Sequence, residues 1–288
     1  MKAIIISREQ DKERRGRIEE GIPEWLDWSF LNASDGHQPT VLDARYRDLI
    51  AETFWGNKKI KPGAFGCFVS HYRAWLECSR ANVPLLILED DIFFSLDKGS
   101  DFDSLISNDW DVILVNKSAV AWNLLNKIYE RARWIPFGGL RRRLALKASR
   151  VAIERNTGDP AIVRSLREVM LGLVNSSLTP DSPEVPGANG YILMPNGAKK
   201  LLALADKLGV LVGVDWFILG SAMSGAEFSG SWSVPGRVAK YFENSEIVNI
   251  GVSCAWMVDS IDDNVGGSVI NHTQLVTIEE YAKTIGTG

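Results

Sequence analysis

Four apolar residues, Leu85-Leu86-Ile87-Leu88, are followed directly by three acids, Glu89-Asp90-Asp91. An uninterrupted aliphatic run predicts a central strand that is covered on both faces. Because side chains alternate along a strand, Glu89 and Asp91 would share one face and Asp90 would lie on the other. Ligands of open α/β sheets bind at the carboxyl ends of strands. The pattern therefore predicts a binding site for a hard divalent cation, Mg²⁺ or Mn²⁺, with a solvated acidic loop as the alternative.

The segments around this strand alternate between strand and helix patterns. Strands are predicted at residues 3–7, 28–33, 85–88, 111–115 and 187–194, and helices around Ile18 and Ile22 and at residues 42–55, 66–79, 196–208 and 214–223. This alternation predicts an α/β fold with a Rossmann-type, mostly parallel sheet. The last ~50 residues, with a turn-rich stretch at 259–267, are predicted to be irregular.

Residues 117–180 interrupt this rhythm and predict a basic helical insertion within one domain spanning residues 1–288. Residues 117–167 carry 12 Lys or Arg and 3 Asp or Glu, whereas the rest of the chain carries 20 basic and 33 acidic residues. Aromatic residues accompany the charges at Trp122, Trp134 and Phe137. Basic helices of this kind favour contact with an anionic membrane surface. A solvated insertion is the alternative, and a nucleic-acid partner fits these charges but not the acidic remainder.

Several classes of protein are disfavoured by the sequence. The three cysteines form no C-x-x-C pair, which argues against structural zinc and a disulfide framework. No apolar run reaches the roughly 20 residues that span a bilayer, and the apolar N-terminal stretch is too short for a signal peptide. We therefore expect a cytoplasmic protein. The phosphate-binding loops of P-loop and dinucleotide-binding proteins are both missing from the sequence.

Five ordered blocks carry a resemblance to a known family. They are Ile4-Ile5-Ile6-Ser7 with Glu13-Arg14-Arg15, Asn32-Ala33-Ser34-Asp35-Gly36, the helix pattern from Gly66-Cys67 through Ser70-His71 to Trp75, the run from Leu86 to Asp91, and the stretch from Gly190-Tyr191 to Leu201. In this order they resemble the motifs of glycosyltransferase family 25, which includes bacterial lipooligosaccharide galactosyltransferases and collagen galactosyltransferases. The resemblance covers about residues 1–95 and 187–220.

The resemblance implies a GT-A-like fold and an inverting transfer from a UDP-sugar, most often UDP-galactose. The acceptor would be a glycan or a lipid-linked saccharide such as lipooligosaccharide, extended at the inner face of a membrane. The acidic triplet would correspond to an Asp-x-Asp-type motif that binds Mn²⁺ or Mg²⁺. The alternative is a catalytically inactive module of the same fold that binds glycan or membrane.

The predicted catalytic centre combines a metal site with a general base. Asp91 is the main candidate metal ligand, Glu89 would bind the metal or the ribose, and Asp90 is an alternative. His272 could supply a third ligand from the C-terminal segment, with an ordinary surface histidine as the default interpretation. Asp215 is the candidate base because it lies between apolar residues, where burial raises the pKa of a carboxyl group. A helix N-cap is the other interpretation of Asp215.

The remaining predicted site residues would bind the donor. They are Arg14, Arg15, Asp35, Gly36, Ser70, His71, Glu89, Asp90, Asn189 and Tyr191. Arginine suits a diphosphate because its guanidinium donates two parallel hydrogen bonds. Several of these residues also have a structural interpretation: a solvated helix end for the arginines, a plain turn for Asp35 and Gly36, a structural role for His71, and core packing for Tyr191.

Overall fold

The computed structural model describes residues 1–95, 99–106, 110–156, 158–159, 161–175, 187–226, 238–260 and 274–288. Its strands are β1 (Lys2–Ser7), β2 (Asp27–Asn32), β3 (Lys59–Ile60), β4 (Leu85–Glu89), β5 (Ile92–Phe94), β6 (Val112–Leu114), β7 (Val163–Ser165), β8 (Gly190–Leu193), β9 (Ile250–Ser253), β10 (Val258–Ser260) and β11 (Val276–Thr277). Its helices are α1 (Lys12–Gly21), α2 (Pro62–Ala81), α3 (Lys117–Arg131), α4 (Gly138–Arg155), α5 (Leu166–Asn175), α6 (Pro195–Leu208), α7 (Val214–Ser221) and α8 (Ile278–Thr284).

A seven-stranded sheet with the order β2-β1-β4-β8-β6-β9-β7 forms the centre of the fold. Strands β2, β1, β4, β6 and β9 run in one direction, and β8 and β7 run against them. Two small antiparallel pairs, β5 with β10 and β3 with β11, lie outside this sheet. The predicted α/β fold with a mostly parallel sheet is confirmed, and the sheet is consistent with a Rossmann-like fold.

Strand β4 lies deep in the sheet because its aliphatic side chains are buried on both faces. Leu85 and Ile87 belong to the cluster that includes Phe68 of α2, whereas Leu86 and Leu88 pack in the cluster of Ile18 from α1. Burying each such side chain contributes about 1.5–3 kcal/mol relative to its exposed state. The two faces of β4 therefore pack against different helices, α2 on one side and α1 on the other. The acids that follow β4 are expected to alternate between the same two sides.

Helix α2 is the longest helix of the described residues and crosses beneath the loop after β2. It starts with a proline in its first turn and ends where Asn82 adopts a left-handed conformation, with φ of 54°. The N–H of Asn82 donates to the carbonyl of Cys78 and closes the last turn. The helix predicted at residues 66–79 is therefore confirmed and is longer than predicted.

Two predictions about secondary structure are wrong. Residues 42–55 contain a short 3-10 helix at Ala44–Leu49 instead of an α-helix, with Tyr46 and Leu49 buried at the three-residue spacing of that helix. The C-terminal part is also more regular than predicted. Strand β9 joins the central sheet, and helix α8 follows β11. Strands β9, β10 and β11 are two to four residues long, and none of them is an uninterrupted apolar run like β6.

The segment predicted as a basic helical insertion contains α3, α4 and α5, and also β7, which forms the edge of the central sheet. Helix α3 packs against α4 and α5, and buries Trp122 and Tyr129. Among the described residues, the structure contains no helix with both the length and the apolar character needed to cross a membrane.

The loop after β2 contacts α2 through two glycines. A Cβ atom built on Gly66 would lie 2.4 Å from the backbone nitrogen of Gly36 and 2.5 Å from the carbonyl oxygen of Ser34. The hydroxyl of Ser70 stabilises the same contact between the loop and α2. It accepts from the N–H of Ser34 at 2.8 Å and donates to the carbonyl of Gly66 at 2.8 Å. This contact sets the position of Asp35 above α2.

Replacing Gly66 with alanine should destabilise the fold by about 1–3 kcal/mol, because the added methyl group meets backbone atoms that cannot rotate away. Urea denaturation followed by tryptophan fluorescence measures the free energy of unfolding. The matched control is Gly16→Ala in α1, where an added Cβ meets nothing within 4 Å. The control should be unchanged or more stable by roughly 0.5–1 kcal/mol. Equal stability of the two variants would contradict the close contact.

Candidate functional site

An open cleft lies at the carboxyl ends of β1, β2 and β4, which are neighbours in the sheet. It is lined by Ile6, Ser7, Arg8, Asp11, Arg14, Ala33, Ser34, Asp35, Gly36, His37, Gly63, Cys67, Ser70, His71, Glu89, Asp90 and Asp91. The N-terminal end of α1 also faces this cleft through Asp11 and Arg14. Of the predicted site residues, the cleft brings together Arg14, Asp35, Gly36, Ser70, His71, Glu89, Asp90 and Asp91.

The three acids reach the cleft from the two faces of β4. Glu89, the last residue of the strand, lies 3.1 Å from the Nε2 atom of His71 on α2. Asp90 lies toward α1, where it accepts from the hydroxyl of Ser7 at 2.7 Å and from Nη1 of Arg14 at 3.0 Å. Asp91 follows in the turn that leads into β5 and lines the same cleft. Glu89 and Asp90 therefore lie on opposite faces, as strand alternation predicts.

A buried hydrogen-bond chain fixes His71 against Glu89. Nε1 of Trp75 donates to the hydroxyl oxygen of Tyr191 at 2.8 Å, and that hydroxyl lies 2.8 Å from Nδ1 of His71. Because indole N–H can only donate, the tyrosine hydroxyl accepts from Trp75 and has its own proton available for Nδ1. The tautomer that satisfies every group in this chain has the ring proton on Nε2, where it faces an ionised Glu89. Burial lowers the pKa of His71 to about 4, so the ring is neutral at physiological pH.

Burial also raises the pKa values of two acids in this region. The pKa of Glu89 rises to about 7, mainly because the carboxyl is removed from water and also because Asp90 is adjacent, while Arg14 opposes the rise. The pKa of Asp215 rises to about 6 through burial and the charge of Glu89, opposed by a hydrogen bond from the N–H of Ala188. The region therefore concentrates negative charge that a bound cation would relieve.

The donor set at the cleft suits a hard cation held by carboxylates. Cys67, His71 and Glu89 have potential ligand atoms within 4.8 Å of one another, which would suit a softer metal. However, both ring nitrogens of His71 are already in hydrogen bonds, and burial raises the pKa of the Cys67 thiol well above its ordinary value. The oxygen atoms of Glu89 and Asp91 are the donors that fit Mg²⁺ or Mn²⁺.

Asp215 lies in a second cleft beside the first. It is the second residue of α7, whose N-cap is Gly213, so the N-cap interpretation is wrong. Its Oδ1 atom accepts from the N–H of Ala188 at 2.5 Å. The carboxyl lines a cleft with Trp55 and Trp216, and it is near enough to Glu89 and His71 for their charges to affect its pKa.

The other predicted residues lie away from the lining of the first cleft. Arg15 donates to the carbonyl of Ser7 at 2.9 Å and lies over the ring of Phe30 at 4.6 Å, so it holds β1 and β2 together. Tyr191 is buried behind His71, and the carbonyl of Asn189 accepts from the N–H of Glu89 at 3.1 Å. Asn189, just before β8, thus supports Glu89 directly, and Tyr191 of β8 supports it through His71. His272 lies outside the described residues.

The remaining residues of the cleft lining were not predicted as site residues, and they include the polar groups of Ser7, Arg8, Asp11 and Cys67. The guanidinium of Arg8 forms a two-point contact with Asp11, with distances of 2.7 and 3.0 Å. Ser7 ends the first predicted strand and Arg8 follows it, so the rule that ligands bind at the carboxyl ends of strands could have found both. No comparable pattern marks Asp11.

Comparison with known proteins identifies the family of this chain. Residues 1–218 match the family model described as glycosyltransferase family 25 (LPS biosynthesis protein). The chain belongs to glycosyltransferase family 25. The matched residues include the acidic triplet Glu89-Asp90-Asp91 and Asp215. The predicted family is confirmed. Among the curated proteins that were compared, none matches this glycosyltransferase.

Replacing Tyr191 with phenylalanine should cost about 1–3 kcal/mol of stability, because both Trp75 and His71 lose their buried hydrogen-bond partner. Chemical denaturation measures this loss, and ¹⁵N chemical shifts of the His71 ring report whether Nε2 still carries the proton. The matched control is Tyr72→Phe, since the Tyr72 hydroxyl donates at the surface to Asp206 at 2.9 Å. An unchanged ring spectrum, or equal losses in the two variants, would contradict the proposed chain.

Proposed function

We propose that this family 25 member is a GT-A-like, metal-dependent hexosyltransferase that uses a UDP-sugar, with UDP-galactose the first candidate. It transfers the sugar with inversion to a glycan or to a lipid-linked saccharide such as lipooligosaccharide. The observation that carries this proposal is the acidic triplet at the carboxyl end of β4, in a cleft shared with Arg8, Arg14 and the start of α1. Family membership supports sugar transfer as the reaction class.

The cleft offers separate features for each part of a nucleotide donor. Arg8 and Arg14 supply guanidinium groups for a diphosphate, and the N-terminal end of α1 favours negative charge nearby. Asp35, in the loop after β2, supplies a carboxylate that can accept from the ribose or the uracil ring. Its Oδ1 atom already accepts from the N–H of His37 at 2.9 Å, which fixes its orientation.

Glu89 and Asp91 are the residues that would hold Mn²⁺ or Mg²⁺. The chemistry that such a cation supplies is neutralisation of negative charge on the departing diphosphate. His71 positions Glu89 by donating from Nε2, and Arg14 with Ser7 positions Asp90. These contacts keep the carboxylates in place before the donor arrives, which lowers the reorganisation needed during transfer.

Asp215 is the proposed general base. Inversion in a single displacement requires removal of a proton from the acceptor hydroxyl. Burial and the charge of Glu89 raise the pKa of Asp215 to about 6, so at neutral pH the group is mostly ionised and still a better base than an exposed carboxylate. The presence of both the acidic triplet and Asp215 argues against the alternative of a catalytically inactive module.

The direct test measures release of UDP from UDP-galactose, with and without Mn²⁺. Asp91→Asn should reduce metal-dependent activity by at least about 100-fold, because a neutral amide binds a divalent cation poorly. Asp48→Asn, which changes an exposed acid in the same way, serves as the control and should match wild type. Full activity in Asp91→Asn, or in wild type stripped of metal by a chelator, would overturn the mechanism.

Helix α4 provides a candidate membrane-binding face. Phe137, Leu140, Leu144 and Val151 are 71%, 50%, 45% and 44% exposed, and their spacing places them on one side of the helix. Ala145, Ser149 and Ile153 are buried on the other side. The exposed side also presents basic residues, including Arg143 and Lys147. We propose that this face lies on an anionic bilayer, because apolar and cationic groups together match that surface.

The charge reversal Arg143→Glu with Lys147→Glu should weaken binding to phosphatidylglycerol-containing vesicles by about tenfold or more, measured by flotation. Phosphatidylcholine vesicles should bind wild type weakly. The matched control is Lys199→Glu with Lys207→Glu, which reverses two exposed charges on α6. Equal loss in both double variants would show a nonspecific charge effect. Self-association or nucleic-acid binding without vesicle binding would assign the face to another partner.

A further inference from the structure

The second cleft, beside Asp215, has features that the donor chemistry does not use. It has an open volume of about 960 Å³. Its lining contains two tryptophans, three lysines and Asp215 among Phe54, Trp55, Asn57, Lys58, Lys59, Lys61, Ala64, Gly213, Asp215, Trp216 and Leu275. Aromatic faces and ammonium groups together suit a ligand that has both an apolar ring face and negative charge.

Trp55 occupies a backbone position that its residue type disfavours. Phe54 and Asn57 pair across a tight turn in which Trp55 has φ of 52° and Gly56 has φ of 75°. Positive φ at both central residues is the geometry that Asn-Gly adopts readily, whereas a bulky residue at the first position is strained. The turn is anchored by the N–H of Trp55, which donates to the carbonyl of Leu211 at 2.6 Å. Strained backbone positions of this kind cluster at functional sites, which makes the Trp55 indole a candidate functional group.

The turn places Trp55 against Trp216, with ring centroids 5.7 Å apart and an interplanar angle of 84°. Trp216 is the residue directly after Asp215 on α7. The aromatic pair is therefore built next to the candidate base, with the lysines of residues 58–61 along the same cleft. Glu279 is the acid whose charge interacts with Lys58, so Lys59 and Lys61 are the better candidates for binding an anion.

We propose that this second cleft binds the acceptor, and that the acceptor is a saccharide carrying phosphate or carboxylate groups. A sugar ring lies against Trp55 and Trp216, Lys59 and Lys61 bind its anionic group, and the hydroxyl that receives the hexose lies at Asp215. Asp215 joins the two clefts, because it lines the acceptor cleft and interacts electrostatically with Glu89 of the donor cleft. This inference rests on the proposed function.

The test uses a deacylated, phosphorylated core oligosaccharide from a bacterial lipopolysaccharide and the same oligosaccharide after removal of phosphate. Calorimetry should show that the phosphorylated form binds wild type about tenfold more tightly or better, because an ammonium–phosphate contact is charge-assisted. Lys59→Gln with Lys61→Gln should remove that difference. The control Lys199→Gln with Lys207→Gln, on α6, should retain it. Equal binding of the two oligosaccharides to wild type would overturn the anionic part of the proposal.

Variants of Trp55 test the aromatic part. Trp55→Asn suits the left-handed turn, and it should weaken binding of both oligosaccharides about tenfold. Trp55→Phe keeps an aromatic face and should restore most of the affinity. Wild-type affinity in Trp55→Asn would overturn the aromatic role. Inorganic phosphate could compete fully with the phosphorylated oligosaccharide while the dephosphorylated form does not bind at all. That result would show that the cleft binds an adventitious ion only, and it would overturn the proposal.

Calorimetry with UDP and Mn²⁺ separates this inference from the proposed function. Each cleft variant should bind UDP as wild type does, because none of the changed residues lines the donor cleft. If UDP does not bind but the oligosaccharide does, the proposed function fails and the second cleft remains a saccharide site. If UDP binds with metal and neither oligosaccharide binds, the acceptor cleft fails and the donor site stands.

Discussion

The buried end of β4 is the constraint on which the site depends. Strand β4 has neighbouring strands on both sides and packed side chains on both faces. Polar side chains can therefore reach the cleft only from the carboxyl end of β4. Three acids at that point cannot all be surrounded by water, so each requires a specific neighbour. Asp90 has Ser7 and Arg14, and Glu89 has His71. The remaining negative charge makes the cleft receptive to a cation and a diphosphate together.

Helix α2 connects this charge to the rest of the fold. Gly66, Ser70 and His71 lie within one and a half turns of the helix, and all three are buried. Gly66 and Ser70 contact the loop after β2. His71 contacts Glu89 of β4 and Tyr191 of β8. A single helix thus sets the distance between the loop that carries Asp35 and the strand that carries Glu89. This explains why a small residue, a hydroxyl and an imidazole occur so close together in sequence.

Much of this arrangement could be predicted because it depends on local patterns. The aliphatic run of β4, the alternation of Glu89 and Asp90, and the amphipathic spacing of α2 are visible within a few residues. By contrast, the position of Arg15 against Phe30, and the position of Asp215 in a second cleft, depend on packing between distant segments. Strands β7 and β9 were missed because polar residues or a glycine interrupt their apolar residues, whereas the equally short β6 is wholly apolar. Pairing within the sheet, more than their own sequence, stabilises β7 and β9.

The two clefts are coupled through charge rather than through a shared wall. Glu89 raises the pKa of Asp215, and both carboxyl groups are largely removed from solvent, where interactions between charges are weakly screened. Positive charge bound beside Glu89 must therefore lower the pKa of Asp215 and favour its ionised form. With a pKa of about 6, Asp215 is already mostly ionised at neutral pH, so this effect matters mainly below neutral pH, where a filled first cleft would keep more of the proposed base ionised. Such coupling follows from the placement of Asp215 between the clefts and requires no movement of the chain.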